Sequence, residues 1–149
     1  MKEKSQLEVL AANKLMRSTE EVTAFENALV ALAENPHQED LPNLHLILDD
    51  RCEQPEVMFG LIHFLESFEV SAQLKSFVKV VPELIIVASE WTIIIHNRVL
   101  NDEIACHVYR DILSLFNAQK PHFVRELLEQ SATYHLNAKK VTIKLVQKF

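Results

Sequence analysis

Glycine is nearly missing from this 149-residue chain: Gly60 is the only one, where average usage of ~7% would give about ten. The nucleotide P-loop and the dinucleotide fingerprint both need several glycines at fixed spacing, so neither phosphate cradle can be built here. Tight β-hairpins need residues that tolerate positive φ, so the same scarcity argues against a hairpin-rich all-β fold. Cysteine is scarce too. Cys52 and Cys106 make no C-x-x-C pair and no disulfide framework, which fits a reducing, cytoplasmic setting. A long apolar run is lacking: the stretch from Val80 to Ile95 is interrupted by Pro82, Glu83 and Glu90 and is too short to span a bilayer. The opening residues, Met1 to Gln6, lack the apolar centre of a signal peptide. No cluster of bases interleaved with aromatics appears, which argues against a nucleic-acid partner.

What is present is an ordinary globular composition, 48% apolar and 24% charged. The length predicts a single domain over 1–149 that buries enough surface to need no disulfide or metal staple. The pattern is helical throughout. Ser18 or Thr19 caps a helix in which Val22, Phe25, Leu29 and Leu32 share a face, and Asn35-Pro36 ends it. Leu41-Pro42 starts a short helix with Leu44, Ile47 and Leu48 inward, ending near Asp49-Asp50. Pro55 opens another, with Val57, Met58, Leu61, Ile62, Leu65 and Phe68 on its apolar side. Ser71 to Val80 predicts a helix with Leu74, Phe77 and Val78 inward, and Pro82 the start of a separate one over Glu83 to Ala88. The β-branched stretches Leu84 to Val87 and Trp91 to Ile95 have strand propensity, but no hairpin turn lies between them and they read as buried helix. Asn101-Asp102-Glu103 caps a helix with Ile104, Val108, Ile112, Leu115 and Phe116 inward. Pro121 opens a further helix with Val124, Leu127, Leu128 and Tyr134, and the basic tail 138–149 leans to helix. The expected fold is therefore all-α: stacked antiparallel helix pairs, either a HEAT-like α-solenoid or an irregular helical bundle.

Charge is uneven. Fifteen bases against twenty-one acids give −6, and residues 1–70 hold fourteen of the acids but only five of the bases. An acidic half favours a basic partner, although acids also serve plain solubility. The chemistry-bearing constellations are few. Asp49 and Asp50 are adjacent, and neighbours on a helix point about 100° apart, so they do not share a proton as a catalytic dyad does. With Glu53 and Glu56 they read better as a recognition patch at an exposed corner. Glu103, His107 and Asp111 follow i, i+4, i+8, but three ligands in line on one helix span about 12 Å, too far for one ion; His63 and Glu66 are a lone i, i+3 pair. There is no nucleophile elbow or catalytic cysteine signature. No cofactor, metal or catalytic residue is therefore expected. The stretch from Glu90 to Asp102 gathers Trp91, His96, Arg98 and Asn101. It reads equally as an interface hot spot or as a core Trp with an Arg tying helix ends to Glu66, Glu90 or Asp102.

With these residues in view, the chain resembles the immunity protein 30 family of bacterial polymorphic toxin systems from about Met16 to Phe116. The resemblance runs through Ser18-Thr19-Glu20-Glu21-Val22, Phe25 to Leu29, Leu41 to Leu44, Leu48 to Glu53, Glu56 to His63, Leu65 to Phe68, and Glu90-Trp91 with His96, Arg98, Leu100, Asn101 and Asp102. The basic extension 117–149 lies beyond it. The resemblance implies a non-catalytic cytoplasmic protein that binds and neutralises a cognate toxin domain. Its expected contacts are Asp49, Asp50, Glu53, Glu56, Glu66, Glu90, Trp91, His96 and Arg98, meeting a toxin with a basic contact face. The alternative is a helical-repeat adaptor that mediates protein–protein interactions.

Overall fold

The computed structural model describes residues 5–119, and all of its regular elements there are helical. They are α1 (Gln6–Asn13), α2 (Thr19–Glu34), a one-turn 3-10 helix (Gln38–Asp40), α3 (Leu41–His45), α4 (Pro55–Glu66), α5 (Val70–Val87), α6 (Ser89–Leu100) and α7 (Glu103–Gln119). The protein is all-α, with no strand among the described residues, and the β-branched run falls in helix at the end of α5 and in α6. The expected Pro121 helix, the 138–149 tail and the side chain of Phe116 lie outside the described residues.

The chain separates at Ser89–Glu90 into two compact units. In the first, α1 packs on α2, α2 on α4, and α3 on both α4 and α5, an irregular helical bundle. Local chemistry explains most boundaries. The Ser18 hydroxyl accepts from the Glu21 N–H and caps α2. Pro55 stands at the start of α4, where its missing N–H costs nothing. The Glu69 carboxylate accepts from the Ser71 and Ala72 N–H groups and caps α5. The core of this unit is Leu10, Met16, Phe25, Leu44, Leu48, Met58, Leu61, Ile62, Leu74, Phe77 and Val78, all at most 2% exposed.

The residues before Ser18, for which the sequence sets no expectation, form α1, with Leu10 as its one buried residue. Three expectations need correction. The short helix from Leu41 stops at His45, and residues 46–54 form a turn-rich corner. Pro82 starts no helix: it sits inside α5 on the exposed side, so it withholds one N–H from the Val78 carbonyl without ending the run. In the second unit, Ile104 and Leu115 point outward at 70% and 66% exposure, while Tyr109, Ile112 and Leu113 face inward. The Asp102 carboxylate does cap α7, accepting from the Ala105 N–H at 2.9 Å.

Candidate functional site

The corner between α3 and α4 carries the acidic run, and the structure turns one member of it inside. Asp49 is fully buried. Its Oδ1 accepts from the Arg51 backbone N–H at 2.9 Å and from Arg51 Nε at 3.1 Å. Its Oδ2 accepts from an Arg51 terminal nitrogen at 2.9 Å and lies 3.3 Å from Lys14 Nζ. Burial alone pushes this carboxyl up, but the Arg51 bonds and then Lys14 outweigh it and hold it at about 2. Asp49, expected as an exposed contact, is thus a buried anion paired within the fold.

Around Asp49 the corner is stitched to two other parts of the first unit. The Glu53 N–H donates to the Leu15 carbonyl at 2.9 Å, tying the corner to the α1–α2 connection. The Asp50 N–H donates to the Val87 carbonyl at 3.1 Å, satisfying an end-of-helix acceptor on α5, and the Ser89 hydroxyl donates to Asp50 Oδ2 at 3.3 Å. Asp50 is half-buried, and Glu53 and Glu56 are exposed. The sequence assigns no pairing role to Lys14 or Arg51. Arg51 stands two residues from Asp49, whereas nothing local marks Lys14 as its partner.

Beside this corner lies an open groove of about 340 Å³, lined by Met16, Arg17, Ser18, Thr19, Val22, Glu53 and Gln54. Met16 turns the chain between α1 and α2 with φ 49°, a conformation that costs a non-glycine residue about 1–2 kcal/mol, and its side chain is buried. Arg17 is clasped by Glu21: its Nε and a terminal nitrogen reach the two carboxylate oxygens at 3.2 and 3.0 Å, and its backbone N–H donates to Oε1 at 2.7 Å. That clasp holds the Glu21 carboxyl below its usual range.

The other expected contacts lie on other helices. Glu66 is exposed near the end of α4, and Glu90 and Arg98 are exposed on α6. Trp91 is 5% exposed and His96 fully buried. His96 Nδ1 lies 2.9 Å from the Tyr109 hydroxyl, joining α6 to α7, and its Nε2 is buried with no partner among the described residues. Burial pushes this imidazole down to about 4 and the Tyr109 phenol up. In the first unit His45 is also buried, with Nδ1 at 3.0 Å from both the Leu41 carbonyl and the Ser76 hydroxyl. The carbonyl only accepts, so Nδ1 bears the proton. Burial, against the opposing carbonyl bond, brings His45 down to about 4. Cys52 and Cys106 are free thiols. Among the described residues no three His, Cys, Asp or Glu side chains are placed to hold an ion, and no helix is long and apolar enough to cross a membrane.

Comparison with known proteins bears on this arrangement at one point. Residues 12–109, about two-thirds of the chain, match the model of a family described as immunity protein 30. Neither the curated proteins nor the solved structures yield a match.

Proposed function

Because the chain belongs to the immunity protein 30 family, we propose that it acts as an immunity protein: it binds a cognate toxin domain in the bacterial cytoplasm and blocks it by occupancy, without catalysis. The family match over residues 12–109 is the observation that carries this reading. Its chemistry is consistent. The exposed charged groups of the first unit suit recognition. All three bases between residues 5 and 70, Lys14, Arg17 and Arg51, sit in ion pairs with Asp49 or Glu21. The remaining acids of that stretch, Glu53 and Glu56 at the corner among them, dominate its field, which favours a toxin with a basic contact face. Glu66, Glu90 and Arg98 are the other exposed candidates for contact, while Asp49, Trp91 and His96 act by holding the scaffold.

The test expresses the toxin domain encoded beside this gene, alone and with the protein. Restored growth together with a complex that co-purifies supports immunity. Killing that continues at equal expression overturns it.

A further inference from the structure

We infer that the exposed stripe of α5, from Lys75 to Ile86, is a contact surface for a second copy of this chain, paired antiparallel about a two-fold axis near Val81. The inference goes beyond the immunity reading and does not depend on it. Most of α5 is inside: Leu74, Phe77, Val78, Val81 and Leu84 are buried. What is left outside is narrow. Lys75, Lys79, Pro82, Glu83 and Ile86 are exposed. At about 100° per residue they fall within about 100° of the helix circumference and span about 16 Å of its length. Ile86 is 80% exposed, more than any other large apolar side chain among the described residues.

The charges of this stripe are free to meet a partner. Lys79 and Glu83 stand one turn apart, yet neither they nor Lys75 holds an ion pair among the described residues. A lysine that precedes its acid is the poorer order for pairing along one helix. Lys14, Arg17 and Arg51 are all taken by Asp49 or Glu21. Among the described residues of the first unit, Lys75 and Lys79 are therefore the lysine and arginine side chains left unpaired.

The order of the stripe is what names a second copy. Run backwards against itself and centred on Val81, it sets Lys79 opposite the other copy's Glu83, and Glu83 opposite the other copy's Lys79. One symmetry thus makes two ion pairs. Ile86 then lies beside the other copy's Lys75, whose methylene stem covers it while the ammonium stays in water. The two Pro82 rings meet near the axis as rigid apolar surface. An unrelated partner would have to carry this pattern, and the chain already does. The contact is one helix wide, under the about 800 Å² per partner of a stable interface, so the pairing is weak and fills at high concentration.

The experiment is sedimentation equilibrium of the full-length protein up to about 1 mM, in about 0.15 M salt, which screens the repulsion between two copies of net charge −6. The average mass should climb with concentration from one chain towards two and no further. Lys79→Glu and Glu83→Lys each set like charges face to face twice, and each should weaken association at least tenfold, by about 1.4 kcal/mol or more. The double variant Lys79→Glu with Glu83→Lys restores opposite charges and should return to within about threefold of the original protein. Ile86→Ser should weaken association too, whereas Val30→Ser, which removes the exposed valine of α2, should leave it unchanged. These side chains are exposed, and circular dichroism checks that every variant keeps its helices. A mass that stays at one chain or grows past two would overturn the assignment, as would a double variant that does not recover or a Val30→Ser loss equal to that of Ile86→Ser.

Discussion

Asp49 shows how much a single residue's surroundings change its meaning. In the string Leu48-Asp49-Asp50-Arg51-Cys52-Glu53 it looks like one acid of a solvated patch, yet its side chain is sealed from water between Lys14 and Arg51. Removing one partner of a buried pair leaves the other uncompensated, which costs about 3–5 kcal/mol when both ions are buried. Arg51 is 71% exposed and Lys14 25%, so both can partly return to water. Asp49→Ala is therefore expected to cost about 3 kcal/mol, at the lower end of that range. Arg51→Ala leaves the buried Asp49 carboxylate without its two side-chain bonds to Arg51 and should cost at least as much, while Lys14→Ala, which leaves those bonds in place, should cost less. Urea midpoints would give this order, and an Arg51 variant milder than the Lys14 one would contradict the geometry.

The buried histidines make a second prediction at the same scale. An unfolded histidine takes up a proton near 6.5, while His45 and His96 in the fold do so only near 4. Between those values the unfolded chain binds more protons, so stability is lost as pH falls through the window. From pH 7 to pH 5 the loss is roughly 2 kcal/mol per histidine. Asp49 acts lower down: its carboxyl is held at about 2, so its contribution persists above the ordinary carboxylate range and fades only towards that value. Denaturation midpoints at pH 7, 6 and 5 should fall steadily, and a flat series would mean that the imidazoles are not held neutral.

At the scale of elements, Gly60 is informative because it is the one glycine and it lies mid-helix, where glycine is the poorest ordinary choice. A Cβ built there would meet Leu29 Cδ2 at 3.3 Å, so the residue marks the close approach of α2 and α4. Leu29 is only half-buried and its terminal methyl can yield a few tenths of an ångström. Gly60→Ala is expected to stabilise the protein by about 0.5–1 kcal/mol and raise Tm by about 2–4 °C. A calorimetric scan that shows a fall would mean the two helices cannot part even that far. Helix boundaries followed from caps and prolines wherever those signals stood at an end, as at Ser18 and Pro55. Pro82 departs from that pattern, because a proline on the exposed side of a well-packed helix removes one bond without ending the run. So does α7, where Ile104 and Leu115 are apolar but Tyr109 is the residue packed inside. Periodicity counts hydrophobic side chains, and it cannot foresee that a tyrosine hydroxyl finds a buried imidazole on another helix.

For the whole molecule the relevant quantity is the field of the acidic half. If that field steers a basic toxin, raising salt from about 0.05 to 0.5 M should slow association at least tenfold while dissociation changes little. Stopped-flow mixing with the toxin domain reads both rates, and an association rate indifferent to salt would exclude a charge-led encounter.

Composition, capping residues and apolar spacing were enough to establish an all-helical chain, the position of most helices and a surplus of negative charge in the first half, because each of these depends on neighbours a few residues apart. Tertiary structure alone decided which charges face water. The Lys14–Asp49 pair, the Glu53 to Leu15 tie and the groove they border join segments that are more than thirty residues apart in the chain. Pairing and burial at such separations depend on how the helices pack, and no local pattern encodes that.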